Sequence, residues 1–443
     1  MTTSQSWSGI YKDHPVRPVP QDPLARLTKI RADYGAAEDK RRPRIGLACL
    51  WDYPPQRTWS YTPWNLRAAL NGVADTADIG VVTSRLSRAL LKTSHVRYKN
   101  GKLTSSWRYS RLTDLHDAHI LHRGLRRDSA ERRYDAVLTM QALVAAIGLP
   151  APTFVYTDIT NDAWISATQS LDVCAALRLV KTSTLQRYRE RELALYQQAA
   201  GVITMSGWLA RSLVEQTGLP PAKVHVVHPA MSSGWSPSDG APGFATGNAA
   251  AKGATLPIPE RTAPRRRLLF VGRQPFDFYR KGGDLIVAAL KTLRREHDSR
   301  ITLTVVGPDQ WPMPGDPPEG VRLMGTLPPD SVAALYDTHD LFVMPSRMEP
   351  FGIVFTEALA RGLPCVARDA YAMPEIITPG MSGALVTSDD DRALAATIAT
   401  VLADDALYEA CRKRAPEMAA YFSWERVAWE ITQVITQGTA AGS

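Results

Sequence analysis

Short apolar runs of strand length alternate with amphipathic helical patterns twice along the chain, over residues 44–230 and again over 267–423. The first stretch begins with RIGLACL (44–50), and the second begins with LLFVG (268–272). Continuous apolar runs are typical of parallel strands with both faces covered, and the helices between them indicate crossover connections. The pattern therefore predicts an α/β protein with two doubly wound, Rossmann-like domains that face a central ligand cleft.

Helical periodicity and end signals predict where the main helices lie. Thr62 is the expected N-cap of the helix at 63–74, with Pro63 in its first position. The other predicted helices span 182–199, 207–217, 283–297, 330–338, 353–361, 390–404, 405–420 and 424–437.

Three segments lie outside the two alternating stretches. Residues 1–43 are polar and rich in proline, which indicates an N-terminal extension with one short helix at 23–34. Residues 231–266 consist mostly of Gly, Ser, Ala and Pro, which predicts a linker or a flexible surface loop. Residues 424–443 are expected to form a C-terminal helix and tail.

Composition excludes several classes of protein. The chain has 443 residues, 44% of them hydrophobic, and no apolar run approaches the roughly 18 residues that span a bilayer. MTTSQSWSG has neither a basic nor an apolar leader segment, so we expect no secretory signal. The four scattered cysteines show neither metal-ligand spacing nor a disulfide framework. A cytoplasmic protein fits these features best.

Positive charge is concentrated in one part of the chain. The formal net charge is +8, yet residues 85–133 alone carry 13 Lys or Arg against 4 Asp or Glu. This segment could receive an anionic acceptor, lie on anionic lipid headgroups at the inner face of a membrane, or be a solvated face. Its histidines are irregularly spaced and are expected in surface loops: His95, His116, His119 and His122.

The strongest chemical signal is MPSRMEPFGIVFTEALARGLP (344–364). A strand ends at Pro345, a short loop carries Glu349, and Glu357 follows one turn into an apolar helix. A carboxylate on a buried helix needs a hydrogen-bond donor, which a ribose diol or a pair of sugar hydroxyls would supply. The N–H groups at the helix start suit a phosphate. The alternative is a charge at the helix start plus a buried glutamate satisfied by the protein.

The Glu349–x7–Glu357 spacing resembles that of the retaining glycosyltransferases of family 4, which have the GT-B fold. The match covers 200–437 well and 44–200 only by pattern. Further stretches agree in order with that family: AAGVITMSGWLARSLVEQTGLPPAKVHVVHPAMS, FVGRQPFDFYRKGGDLIVAAL, VRLMGTLPPDSVAALYDTHDLFVMPS, PEIITPGMSGALV and FSWERVA.

The resemblance implies roles for individual residues. Arg273 and Lys281 would hold the diphosphate of a nucleotide sugar, and Glu349 would contact the transferred sugar; these three are the predicted catalytic residues. Glu357 would bind the ribose, and the stretch from Gly325 to Leu327 would lie along the base. The predicted donor-binding residues are Gly272, Gly325, Leu327, Phe351, Gly352, Ile353, Val354 and Glu357.

The resemblance also implies retention of configuration, for which we adopt front-face attack as a hypothesis. No carboxylate suited to a divalent ion stands beside the expected diphosphate, because Asp277 is predicted in a loop and Asp284 as a helix cap. Two cations can neutralise the leaving group instead, so neither a metal nor another cofactor is expected. The run Asp389-Asp390-Asp391 is explained by helix capping together with helix-dipole complementarity.

The chain departs from the family in its N-terminal half. Members often carry a donor-contacting His after a strand, whereas this chain has Asp158 in VYTDITND as the substitute candidate, or as an Asx-turn residue. WDYPPQRTWSYTPW replaces the usual Gly-rich acceptor loop. Its Trp59 and Tyr61 could stack on a sugar or another ring, or serve only as packing.

The sequence therefore predicts a retaining, hexosyltransferase-like enzyme that uses a nucleotide sugar, with UDP or GDP as the nucleotide. Residues 44–230 would form the acceptor domain and 267–423 the donor domain. The acceptor is a small molecule, a glycan or a lipid, with peripheral membrane contact and no nucleic acid partner. The alternatives are a phosphorylase or disaccharide synthase on the same fold, and a non-catalytic protein that binds an anionic polymer.

Overall fold

The computed structural model describes a chain of alternating strands and helices. It covers residues 23–36, 41–52, 55–93, 96–99, 102–105, 107, 110–128, 133–164, 182–232, 258–272 and 275–440. The strands are β1 (Arg44–Ala48), β2 (Leu50–Trp51), β3 (Asp75–Asp78), β4 (Val81–Val82), β5 (Val96–Lys99), β6 (Lys102–Ser105), β7 (Ala136–Met140), β8 (Thr153–Thr157), β9 (Gly201–Thr204), β10 (Val224–Val226), β11 (Arg267–Val271), β12 (Thr302–Val306), β13 (Val321–Leu323), β14 (Leu341–Met344), β15 (Cys365–Arg368) and β16 (Gly383–Val386).

The α-helices lie mostly between these strands. They are α1 (Pro23–Gly35), α2 (Thr62–Leu70), α3 (Arg85–Thr93), α4 (Arg111–Asp128), α5 (Thr182–Gln198), α6 (Gly207–Thr217), α7 (Pro275–Arg280), α8 (Gly283–Glu296), α9 (Pro329–Thr338), α10 (Ile353–Ala360), α11 (Met373–Ile376), α12 (Asp391–Ala403), α13 (Asp405–Tyr421) and α14 (Trp424–Ala440). None of these helices is both long enough and apolar enough to cross a membrane.

The chain divides into two compact units, which we name by their sheets. The first-sheet unit comprises residues 37–229 and 424–443, and the second-sheet unit comprises 1–36 and 230–423. Two parallel sheets with intervening helices confirm the predicted α/β class.

The first-sheet unit contains a six-stranded parallel sheet in the order β10-β9-β8-β7-β1-β3. The strand order reverses between β1 and β7, where Ile45 pairs with Ala136. Helix α14 packs against α2. Gly438 of α14 lies so close to β8 that a Cβ there would stand 2.8 Å from the Phe154 ring. The last helix is therefore part of this unit, although the sequence alone sets 424–443 apart as a tail.

The second-sheet unit contains a six-stranded parallel sheet in the order β13-β12-β11-β14-β15-β16. Its order reverses between β11 and β14, where Leu268 pairs with Leu341. Helix α1 packs against α13, and Arg31 Nη1 lies 2.8 Å from Glu417 Oε2. The described helix of the predicted N-terminal extension therefore belongs to this unit.

Both described ends of the predicted linker 231–266 are part of the second-sheet unit, which corrects that expectation for 231–232 and 258–266. The buried guanidinium of Arg261 donates to the carbonyl oxygens of Tyr336 (2.7 Å), His339 (2.8 Å) and Gly362 (3.1 Å). A composition of small residues and prolines cannot reveal such an anchor, because the acceptors lie far along the chain.

Two local expectations are wrong. Thr62 is the first helical residue of α2 rather than its N-cap, because the 3-10 helix Pro55–Tyr61 runs directly into α2 and leaves Tyr61 at the cap. Three of the histidines expected in surface loops, His116, His119 and His122, lie on α4; His95 lies outside the described residues.

Candidate active site

The candidate site lies at the carboxyl end of the second parallel sheet, where its strand order reverses. Gly272 follows β11 and Pro345 follows β14, and these two strands are neighbours across the reversal. Ligands of doubly wound sheets bind outside the carboxyl ends of the strands at this place. The loop 345–352 leads from β14 into α10, so it brings the predicted motif to this edge of the sheet.

Lys281 and Glu349 form a buried ion pair at this edge. Lys281 Nζ lies 3.2 Å from Glu349 Oε2, and the two side chains are only 9% and 10% exposed. Lys281 Nζ also lies 3.7 Å from Met344 Sδ. No hydrogen bond of good geometry reaches Glu349 Oε2 from within the described residues. The two predicted catalytic groups are therefore together, and the carboxylate keeps acceptor capacity for a hydroxyl.

The turn that carries Lys281 is fitted closely against the loop after β14. Gly282 has φ 77°, and a Cβ there would stand 2.6 Å from the Pro345 carbonyl oxygen. Arg280 Nη1 donates to the Met348 carbonyl oxygen at 2.8 Å, and Arg280 Nη2 donates to Asp277 Oδ1 at 2.7 Å. Asp277 was expected in a loop, but it lies in α7. Its hydrogen bond with Arg280 orients the Arg280 guanidinium.

Arg347 fixes the same loop from its other side. Its guanidinium donates to both oxygens of Asp284, at 2.7 and 3.0 Å, and to Asp389 Oδ2 at 2.8 Å. Burial disfavours the charge, yet these hydrogen bonds raise the pKa of Arg347 above its ordinary value. Asp389 also accepts a hydrogen bond from Arg368, whose Nε donates to the Ser346 carbonyl oxygen at 3.0 Å. The loop is thus anchored by charged side chains from four segments.

These contacts correct two roles that the sequence assigned to capping. Asp284 pairs with Arg347, and the N-cap of α8 is Gly282, which makes no side-chain capping bond. Within the acidic run 389–391, only Asp390 caps α12, by accepting from the N–H groups of Arg392 and Ala393. Asp389 instead accepts a hydrogen bond from Arg347 and so helps to fix the loop 345–352.

Glu357 is buried in α10, and protein donors reach both of its oxygens. The Ser232 N–H donates to Oε1 at 3.1 Å, and the Tyr336 hydroxyl donates to Oε2 at 3.0 Å. Burial, and then the Glu357 charge, raise the pKa of Tyr336 well above its ordinary value, so the phenol stays protonated. The sequence predicts that a ligand supplies the hydrogen-bond donors that the buried Glu357 carboxylate needs. In the structure, Ser232 and Tyr336 supply such donors.

The start of α10 depends on Gly352. This residue has φ 98°, and a Cβ there would stand 2.6 Å from Phe355 Cδ2 and 3.2 Å from Glu349 Cγ. Phe351 before it packs edge-on against Phe422 with ring centroids 6.4 Å apart. Ile353 and Val354 are half-buried in the first turn, where N–H groups lack the acceptors that the helix interior supplies. The Phe355 N–H donates to the Gly352 carbonyl oxygen at 2.9 Å.

The predicted base-contacting stretch follows β13. Gly325 has φ 66°, and its carbonyl oxygen accepts from the Gly307 N–H at 2.8 Å, while Leu327 is half-buried. The Gly272 N–H donates to the Val306 carbonyl oxygen at 2.9 Å. Both stretches therefore follow strands of the second sheet at its carboxyl edge. Arg273, the third predicted catalytic residue, lies outside the described residues.

In the first-sheet unit, the predicted sugar-contacting residues Asp158 and Trp59 are hydrogen-bonded to each other. Trp59 Nε1 donates to Asp158 Oδ2 at 3.2 Å. Trp59 and Tyr61 have φ values of 40° and 68°, in the left-handed region that non-glycine residues rarely adopt. Strained residues of this kind cluster at functional sites. The structure thus joins Asp158 to the aromatic segment that replaces the Gly-rich loop.

Sequence reasoning missed Glu192, which holds the loop after β8. Its oxygens accept from the Asn161 N–H, at 3.2 and 3.0 Å, and from the Tyr196 hydroxyl at 2.8 Å. Burial raises the pKa of Glu192 to about 7. The spacing of Leu185, Glu192 and Tyr196 on one face of α5 is the signal that could have found it.

No cluster of three or more His, Cys, Asp or Glu side chains that could hold a metal ion occurs within the part of the chain that the structure describes. Asp277 and Asp284, which flank Lys281 in the chain, pair with Arg280 and Arg347, and Glu349 pairs with Lys281 itself.

Two parallel sheets of this kind, each with the strand-order reversal described, are the architecture of the GT-B class. The fold agrees with the sucrose-phosphate synthase of Thermosynechococcus elongatus with a TM-score of 0.60 at 20% identity, covering 90% of this chain and 100% of that one. The predicted GT-B fold is confirmed.

The chain also has relatives in sequence. Residues 265–404 match the family described as Glycosyl transferases group 1. A D-inositol 3-phosphate glycosyltransferase of Corynebacterium efficiens is 30% identical over 187 residues, which are 39% of this chain and 43% of that protein. A glycogen synthase of Mycobacterium tuberculosis is 34% identical over 182 residues, again 39% of this chain and 43% of that protein.

The matched stretches span less than half the length of each of these relatives. Residues 265–404 are thus similar to a group 1 glycosyltransferase domain, and this stretch contains Lys281, Glu349 and Glu357. Membership of family 4, the retaining mechanism and the roles of the individual residues stay predictions.

Proposed function

We propose that the protein transfers a sugar from a nucleotide diphosphate sugar to an acceptor. The observation that carries this proposal is the buried Lys281–Glu349 pair at the carboxyl edge of the second sheet, within the stretch similar to group 1 glycosyltransferases. The bond that is cleaved joins a sugar to a diphosphate. Lys281 would bind the diphosphate on one side of this bond, and Glu349 would bind hydroxyls of the sugar on the other side.

Lys281 would change partner when the donor binds. In the structure its ammonium group faces Glu349, and a diphosphate oxygen would be a second, more strongly charged acceptor. Negative charge grows on the leaving diphosphate as the glycosidic bond breaks, so a fixed cation stabilises the transition state more than the ground state. Arg273 would add a second cation. Glu349 would then accept hydrogen bonds from the transferred sugar.

Glu357 would bind the ribose of the nucleotide. Tyr336 and Ser232 donate to the two oxygens of its carboxylate and so fix its orientation. A ribose diol presents two hydroxyl donors, and a carboxylate is an acceptor-only group that suits them. The main chain from Gly325 to Leu327 would lie along the base.

We further propose that the anomeric configuration is retained, through front-face attack in which the leaving phosphate accepts the acceptor's proton. No metal ion would take part, because Lys281 and Arg273 would compensate the diphosphate charge. The relatives named above differ in what they act on, so the acceptor class stays broad: a small molecule, a glycan or a lipid.

The donor can be identified by a thermal-shift panel of UDP, GDP, ADP and their sugars. A ligand at about 100 times its dissociation constant should stabilise the protein by roughly 2.7 kcal/mol. The Glu357→Gln variant should lose that shift, and Glu409→Gln on α13, where the glutamate side chain is 43% exposed, should keep it. Failure of every nucleotide and sugar to shift the transition would contradict the proposal.

Turnover then tests the chemistry with the donor so identified. Release of nucleoside diphosphate in excess EDTA should match release without it, and the product should keep the donor's anomeric configuration by NMR. Inversion would contradict the retaining mechanism. Loss of activity in EDTA that magnesium or manganese restores would contradict charge compensation by Lys281 and Arg273.

A further inference from the structure

An unusual amount of apolar surface is exposed within one part of the first-sheet unit. Six of the ten exposed large hydrophobic side chains among the described residues lie between 86 and 115, and Leu86, Leu90 and Tyr98 are 79%, 70% and 74% exposed. Monomeric soluble proteins rarely expose such residues in groups, and groups of this kind mark interaction surfaces.

Helix α3 carries two of these residues, Leu86 and Leu90, on one face. Leu86, Ala89, Leu90 and Thr93 are all exposed and follow the i, i+3, i+4, i+7 spacing of a single helix face. The basic residues Arg88 and Lys92 fall on the neighbouring face. The helix is therefore amphipathic in the opposite sense from a core helix, because its apolar face points to solvent.

Helix α4 shows a similar arrangement along its length. Leu112 and Leu115 are 56% and 58% exposed in its first two turns. His119, Arg123 and Arg126 are exposed further along the same face. The outer face of this helix thus begins apolar and continues basic.

The chemistry of these two helices selects one kind of partner. The centres of protein interfaces are depleted in charged residues, whereas interfacial helices combine leucines with many Lys and Arg on the polar side. Residues 85–133 carry 13 Lys or Arg against 4 Asp or Glu, which complements a negative surface. We propose that the outer faces of α3 and α4 dock on an anionic lipid bilayer, with Leu86 and Leu90 entering the headgroup boundary.

Co-sedimentation of the full chain with vesicles tests this surface without any sugar donor, so its result is independent of the proposed transfer activity. The protein should bind vesicles of phosphatidylcholine with about 30% phosphatidylglycerol, and it should bind pure phosphatidylcholine far less. Binding should weaken as salt is raised, because screening reduces the attraction of basic residues to the leaflet.

Two variants separate the apolar and the charged contributions. Leu86→Gln/Leu90→Gln keeps helix-favouring residues and should weaken binding at least about tenfold. Arg123→Glu/Arg126→Glu should weaken it about fivefold for each charge removed, and more for the reversal. Met381→Gln and Lys291→Glu, at exposed positions of the second-sheet unit, are the matched controls and should bind like the wild type.

The proposal is overturned if anionic and neutral vesicles bind equally. It is also overturned if the Leu86/Leu90 variant binds like the wild type, since the charges would then serve a soluble anion. A wild-type dimer without vesicles that dissociates in the Leu86/Leu90 variant would identify a second copy of the chain as the occupant, and would overturn it too. Unchanged thermal transitions in the variants show that the fold is intact.

Discussion

Lys281 Nζ lies 3.2 Å from Glu349 Oε2, and both side chains are about nine-tenths buried at the carboxyl edge of the second sheet. A buried ion pair contributes little net stability, yet removing one partner leaves an uncompensated charge that costs about 3–5 kcal/mol. The pair therefore keeps a cation and a carboxylate together at a buried position where replacing either one alone is costly.

This relationship predicts how variants of the pair combine. Lys281→Met should lower the free energy of unfolding by about 3–5 kcal/mol, because it leaves the buried Glu349 carboxylate without a counter-ion. Adding Glu349→Gln should restore much of that loss, while turnover stays lower by about two orders of magnitude because the cation is missing. Urea unfolding and a nucleotide-release assay measure the two effects. Strictly additive losses of stability would show that the residues do not interact.

The second prediction concerns Glu357 and Tyr336. Glu357→Gln should weaken nucleotide binding by about 1.5–3 kcal/mol, since a charged acceptor of the ribose hydrogen bonds is lost. It should also cost stability, because the amide NH2 cannot accept the hydrogen bond that the Ser232 N–H or the Tyr336 hydroxyl now donates at its position. Tyr336→Phe removes one donor and keeps the carboxylate, so its binding loss should be smaller. Calorimetry that finds equal affinity for wild type and Glu357→Gln refutes the ribose assignment.

The third prediction isolates the backbone at Gly352. Gly352→Ala should destabilise the protein by more than about 3 kcal/mol and abolish nucleotide binding, because the new Cβ would stand 2.6 Å from Phe355 Cδ2 in a left-handed conformation. Gly315→Ala is the matched control. It has φ 76° with nothing within 4 Å of the new Cβ, so only about 1–2 kcal/mol of backbone strain is expected. Equal losses in the two variants would show that the contact with Phe355 is unimportant.

The fourth prediction concerns pH and Glu192. Burial raises its pKa to about 7 from an ordinary value of 4.5, so the folded protein holds a proton that the unfolded chain releases between these values. The free energy of unfolding should therefore fall by up to about 3 kcal/mol as pH rises from 4.5 to 7, and level off above. Glu192→Gln should remove this contribution. The exposed Glu190→Gln on the same helix should retain it, and urea midpoints at pH 5 and pH 8 compare the three proteins.

Much of the fold follows from local patterns. Buried runs such as LLFVG and LFVMP are continuous and flanked by turn signals, so they predict β11 and β14 within a residue or two. The period of α5 and α6 likewise matches the observed helices. These features are determined by burial on both sheet faces and by helix periodicity, which act over a few residues.

The contacts around the candidate site could not be predicted from the sequence to the same extent. The spacing of Glu349 and Glu357 marked the segment, but no local pattern shows that Lys281 faces Glu349 or that Tyr336 donates to Glu357. Roles inferred for Asp284 and Asp389 from their positions before helices were wrong, because Arg347 pairs with both.

The sequence by itself determined most strands of the two parallel sheets and the main helices between them, where the carboxylates stand relative to a helix start, and where positive charge accumulates. It did not predict α3, α4, β5 or β6. The tertiary structure alone decided that β11 and β14 are neighbours, which brings Lys281 beside Glu349, and that the leucines of α3 face solvent rather than a core. Local periodicity reports which face of an element is apolar. Strand order and the partner of each face depend on contacts between residues far apart in the chain, which no local pattern contains.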